Sequence, residues 1–145
     1  MKLIFVLILM ASMVRAGTLT ETRTTLGSVH KITLTWSTPT NAAAGVSGTM
    51  DLIAGTFDRV VFPLTSASTG AVYSVTIKAA GVDLLNSLAT TLPTNAITQF
   101  APVANAITAQ SVTSAIPWKV SDQCSVVVTN CGSNALGTVI LYVTP

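Results

Sequence analysis

The sequence predicts an all-β domain, an antiparallel two-sheet β-sandwich of about eight strands, jelly-roll-like or immunoglobulin-like. Three observations carry that prediction. Large apolar and hydroxyl residues alternate in segment after segment, as in Lys31-Ile32-Thr33-Leu34-Thr35-Trp36, and successive strand side chains point to opposite faces. Gly, Pro, Asn and Ser punctuate these segments at near-regular spacing, as turns between strands do. Only Leu84 to Leu88 has helical character, behind Asp83 as its N-cap.

The 145 residues suffice for one core and not for two. Met1 to Ala16 carries an early Lys, an apolar run from Leu3 to Met10 and Val14-Arg15-Ala16 at a cleavage-like position. It reads as a secretory signal or a retained apolar arm, and its run is shorter than the roughly 20 residues a membrane-spanning helix needs. Residues 17–145 form the single domain, which is expected to have no membrane span.

Within it, Thr18 to Leu26 reads as an edge strand, with Glu21 and Arg23 as same-face charges that discourage edge pairing. Val29 to Ser37 follows, burying Ile32, Leu34 and Trp36. Residues 38–45 form a loop by their Pro, Asn and Gly. Val46 to Ile53 and Phe57 to Leu64 read as two strands of a hairpin around Ala54-Gly55-Thr56, with Pro63 ending the second because proline cannot donate to a ladder. After a turn at Ser66 to Gly70, Val72 to Ala79 puts Tyr73, Val75 and Ile77 on one face and Val72, Ser74, Thr76 and Lys78 on the other. From Ala89 to Ala109 periodicity is poor, which predicts a long surface excursion or a loop at an assembly contact. Ser111 to Ile116, Gln123 to Thr129 and Thr138 to Val143 close the domain, with Val126, Val128, Ile140 and Tyr142 assigned to the core.

Chemistry-bearing patterns are sparse. His30 is the single histidine and sits on the rim of the Ile32, Leu34, Trp36 face, with no sequence-adjacent carboxylate to orient its ring as a base. One His and two separated Cys do not make a zinc spacing. Asp51 and Asp58, facing each other across the expected hairpin, are the one carboxylate pair that a glycosidase or calcium site could use, although single polar residues beside a turn are ordinarily just solvated. Cys124 and Cys131 are seven residues apart, about 23 Å along an extended strand and on opposite faces of it, so they are not expected to bond to each other. No catalytic residue, cofactor or metal site is assigned.

Only 8% of residues are charged, far below the roughly one quarter of ordinary soluble domains. Without Lys2 and Arg15, residues 17–145 hold five basic residues against five acids. A neutral domain has no basic face for nucleic acid and no cationic helix for a membrane surface. Such bare surfaces suit burial against other proteins. The expected contacts lie in the Pro-rich stretch from Leu92, with Pro93, Phe100 and Pro102, and at the Pro117-Trp118 junction.

The blocks Val29 to Trp36, Gly45 to Thr49, Arg59 to Pro63, Tyr73 to Ile77 with Gly81 to Leu85, Val126 to Gly132 and Gly137 to Val143 resemble, in that order, the small β-rich structural proteins encoded among the virion genes of tailed bacteriophages. The likeness runs over most of residues 18–143. It implies a non-enzymatic capsid decoration, cement or head-associated subunit whose partners are capsid or other structural proteins, itself a homo-oligomer located in the virion. The rival expectation, from residues 1–16, is an exported surface or periplasmic binding or adhesion module.

Overall fold

The structure, a computed structural model, describes residues 17–39, 45–65, 72–101, 103–108, 111–117 and 119–145, with backbone only for Leu52 and for 103–108 and 111–117. The apolar N-terminal segment, the turn at 66–70, Pro102 and Trp118 lie outside the described residues. Among the described residues eleven strands run in chain order: β1 (Thr18–Leu26), β2 (Val29–Ser37), β3 (Val46–Phe62), β4 (Val72–Ala79), β5 (Val82–Asp83), β6 (Leu92–Pro93), β7 (Thr98–Phe100), β8 (Val103–Thr108), β9 (Ser111–Pro117), β10 (Lys119–Thr129) and β11 (Leu136–Thr144). Every pairing is antiparallel. The main sheet runs β1-β2-β11-β3-β10-β4-β5, with β6 on β4 and β7 on β3, while β8 and β9 pair only with each other.

The expected hairpin at Ala54-Gly55-Thr56 is absent. The chain runs straight through it as β3, 17 residues long. Its first part pairs with β10, from Val46↔Val128 to Thr56↔Lys119, and its second with β11, from Thr56↔Thr144 to Val61↔Ile140. Gly55 makes this change of partner possible: its φ of 148° is closed to L side chains, and a Cβ there would strike the Thr144 carbonyl oxygen. Glycine in a strand marks a sharp bend as readily as a turn, and both ladders shift register nearby, at Asp122/Cys124 and at Tyr142/Val143.

The sheet folds over on itself. In a flat sheet β2 and β4, with three strands between them, would lie about 19 Å apart. Instead the Trp36 and Tyr73 rings meet at 5.8 Å between centroids, so the two wings share one core, an arrangement compatible with a sandwich. Ile32, Leu34, Phe57, Val60, Ile77, Val126, Val128 and Leu141 fill it.

Alternation holds where the sequence is unambiguous. Tyr73, Val75 and Ile77 are buried, and β3 stops at Phe62, before Pro63. On β11 the parity is the reverse of that expected: Val139, Leu141 and Val143 are buried, while Ile140 and Tyr142 lie on the outer side. Apolar residues occupy both parities from Val139 to Val143, so periodicity alone cannot choose. Gly137 decides. Paired with Trp36, it leaves the space that the indole occupies, since a Cβ at Gly137 would collide with that ring. Residues 137, 139, 141 and 143 therefore face in.

Residues 84–88 form turns instead of a helix, because Asn86 and Ser87 adopt φ of 49° and 60°. Asp83 still caps the segment, accepting from Leu85 N–H at 3.1 Å and from Ser87 N–H at 2.9 Å. The stretch 89–109, expected to be irregular, contributes β6, β7 and β8. Cys124 and Cys131 are free thiols, yet both are buried in the core and not on opposite faces: β10 ends at Thr129, and Asn130 at φ 60° turns the chain so that Cys131 comes inside.

Candidate assembly surface

The expected contact residues separate into two sets. Phe100 and Pro93 are woven into the body. Phe100 pairs with Val60 through β7 and packs its ring on Phe62 at 5.5 Å, and Pro93 lies half-buried opposite Val72. Both help to hold short strands in place, which periodicity could not reveal because β6 and β7 are two and three residues long.

Pro117 belongs to a different object. It closes β9 opposite Val103, the first residue of β8, at the root of a two-stranded ribbon. Among the described residues that ribbon pairs with no strand of the main sheet, and it approaches the sheet along β3. Pro102 and Trp118, the residues immediately before and after it, lie outside the described residues. From Val103 to Pro117 there is no charged residue, and eight of the fifteen are Val, Ile or Ala. An isolated two-stranded ribbon is marginal in water, and this composition adds no charge to keep it solvated.

β1 lies at the end of the sheet path. Its full length pairs with β2, from Thr18↔Ser37 to Leu26↔Val29. Its first half leans on β3: Leu19 covers Gly48, and Glu21 Oε2 accepts from Asp51 N–H at 2.9 Å while also pairing with Arg23. From Thr22 to Leu26 every residue is exposed. The opposite end of the path is blunted by β5 and by the turns after Asp83. Elsewhere Leu26, Leu64, Leu88, Ile97 and Leu136 are large apolar side chains more than half exposed.

The chemistry candidates remain apart. His30 Nδ1 lies 3.2 Å from Thr25 Oγ1 on the β1–β2 ribbon, a local cross-strand contact. Asp51 and Asp58 occupy one strand and have different partners: the Asp51 backbone N–H donates to Glu21 Oε2, and the Asp58 carboxylate accepts from the Thr144 hydroxyl. Arg59, next to Asp58, lies over the Tyr142 ring at 4.3 Å. Among the described residues no three His, Cys, Asp or Glu side chains converge as a metal site requires. Among the described residues, open depressions include ones of about 210 and 270 Å³ that share Lys119 to Ser121 as lining.

Comparison with protein-family models, with curated proteins and with solved structures returns no match. The ribbon and the β1 edge are therefore judged on their own geometry. The ribbon holds no charged residue, and among the described residues β1 forms one ladder, with β2.

Proposed function

We propose that this protein is a non-enzymatic structural subunit that acts through protein–protein contacts, and that the assembly it joins is a viral particle, as a capsid decoration, cement or head-associated protein. The observation that carries the first part is the uncharged ribbon of β8 and β9, paired only with itself. Strand edges of this kind gain most when another chain completes them. The sparse charge and the exposed Leu26, Leu64, Ile97 and Leu136 support the same reading. The virion half rests on the sequence resemblance across residues 18–143.

A subunit that binds only the assembled shell stabilises it by mass action. Purified protein added to particles lacking it is expected to co-sediment with them and to raise the temperature at which they release their contents. Absence of both effects removes the virion reading. The apolar run Leu3 to Met10 favours a second reading, an exported surface or periplasmic binding module. N-terminal sequencing of the natural protein separates the two, since export predicts a mature form beginning near Gly17.

A further inference from the structure

We infer that the apolar run Leu3 to Met10 of each chain lies over the depression between Leu64 and Leu136 on its own sheet. The inference rests on the first reading above, since export removes residues 1–16, and it goes beyond that reading by naming what covers this surface. The depression has a volume of about 300 Å³ and is lined by Thr35, Leu64, Leu136, Gly137 and Thr138. Leu64 is 59% exposed and Leu136 54%, and no charged residue is among the lining.

Position, reach and chemistry select this occupant. Thr18, the first residue of β1, pairs with Ser37, and Ser37 pairs across its other edge with Leu136. Two strand spacings, about 10 Å, therefore separate the start of β1 from the nearer leucine. Met10 precedes Gly17 by seven residues, and seven residues of extended chain span about 23 Å, so the run reaches the depression with slack to spare. Leu3 to Met10 is an unbroken series of large apolar side chains, and Lys2 and Arg15 stand outside it. Covering two exposed leucines removes apolar surface from water on both sides, and this gain is non-directional and needs no matched hydrogen bonds.

The run covers its own sheet because a tether this short holds it at an effective concentration in the millimolar range, above that of a second copy in ordinary solution. Leu26, another exposed leucine, lies at the far end of β1, about 30 Å of extended strand from Gly17, and a longer closing loop costs more entropy. With Leu64 and Leu136 covered, partner contacts fall to the ribbon and to Leu26 and Ile97.

The test uses the full chain. Variants carrying Leu136→Cys together with Ile4→Cys, Leu7→Cys or Met10→Cys are each mixed from isotopically light and heavy preparations, oxidised and digested for mass spectrometry. At least one of the three is expected to crosslink to position 136, and only light to light and heavy to heavy, within single copies. Leu136→Cys alone should react with a bulky maleimide at least fivefold more slowly than the same variant carrying Leu7→Asp and Leu9→Asp as well. Both native cysteines are buried, so the reaction reports on position 136. Crosslinks from none of the three positions, crosslinks between copies, or equal labelling rates overturn the inference, and so does a natural protein that begins near Gly17. If the inference fails while the full chain still co-sediments with particles, the assembly reading stands; if the chain binds no particle either, both fall.

Discussion

Thr38 is buried, and its hydrogen bonds explain why a polar side chain is tolerated there. Its Oγ1 donates to the Gly132 carbonyl at 2.8 Å and accepts from Ala135 N–H at 2.8 Å, while its own N–H donates to the Ala135 carbonyl at 2.9 Å. One hydroxyl thus satisfies two backbone groups, one buried and one part-buried, of the loop that carries the left-handed residues Asn130, Gly132 and Asn134. Thr38→Val keeps the shape and orphans both groups, so chemical denaturation should register a loss of about 2–4 kcal/mol, and Thr38→Ser should recover most of it. The two thiols make a second test at this scale. Burial pushes the Cys124 thiol up from 9.0 to about 11, with the Asp122 carboxylate adding to the effect, and burial also raises Cys131. Thiolate is the reactive form, so a thiol reagent at pH 8 should label neither cysteine in the native protein and both after denaturation, with no Cys124–Cys131 crosslink in an unreduced digest. Burial likewise pushes the Tyr73 phenol from 10.0 up to about 12. In each case the folded state holds its proton more tightly, so the unfolded chain deprotonates first. The associated stability is intact below about pH 9, declines as pH rises through the ordinary thiol and phenol values, and is gone above about 12. A thermal midpoint that rises between pH 9 and 12 would contradict this assignment.

At the scale of elements, β3 and β11 show where sequence patterns suffice and where they fail. β1 and β2 have the bounds read from the sequence, β1 from its run of threonines with Glu21 and Arg23 on one face and β2 from the alternation of Ile32, Leu34 and Trp36. Ala54-Gly55-Thr56 was misleading because glycine serves a hairpin turn and a strand bend equally well, and only the partners on either side, β10 and β11, distinguish them. β11 has apolar residues on both faces, so its orientation depends on a contact that no local pattern records, the Trp36 indole over Gly137. The short strands β6 and β7 were invisible because two or three residues cannot display a period. The ribbon was legible only in part: Ser111 to Ile116 reads as a strand, but its six-residue partner from Val103 lies in a run of small residues that shows no clear alternation. Gly137→Ala tests the β11 account directly. The added methyl enters the space of a fully buried indole, and a cost of about 1–3 kcal/mol is expected by denaturant titration, against little change for an Ala at the exposed position 136. Asp83→Ala tests the turn that replaced the expected helix: losing both acceptor bonds should cost about 1–2 kcal/mol and expose the Leu85 amide to faster hydrogen exchange.

For the whole molecule, the decisive property is how little charge it carries. An interface built from opposite charges weakens steeply with salt, because ions screen it over a Debye length of about 8 Å at physiological strength. The surfaces proposed for assembly are a charge-free ribbon and a threonine-rich strand whose arginine pairs with Glu21. Their association should therefore be nearly indifferent to sodium chloride, changing less than about threefold in dissociation constant between 50 and 500 mM, and should tighten in sulfate, which strengthens effective burial of uncharged surface. Sedimentation equilibrium across both salt series measures this without any substitution that could disturb the fold. A dissociation constant that rises tenfold or more over the chloride series would place the contact on the few charged residues of the body, such as Lys31, Lys78 or Lys119, and would move the site of assembly away from the ribbon and the β1 edge.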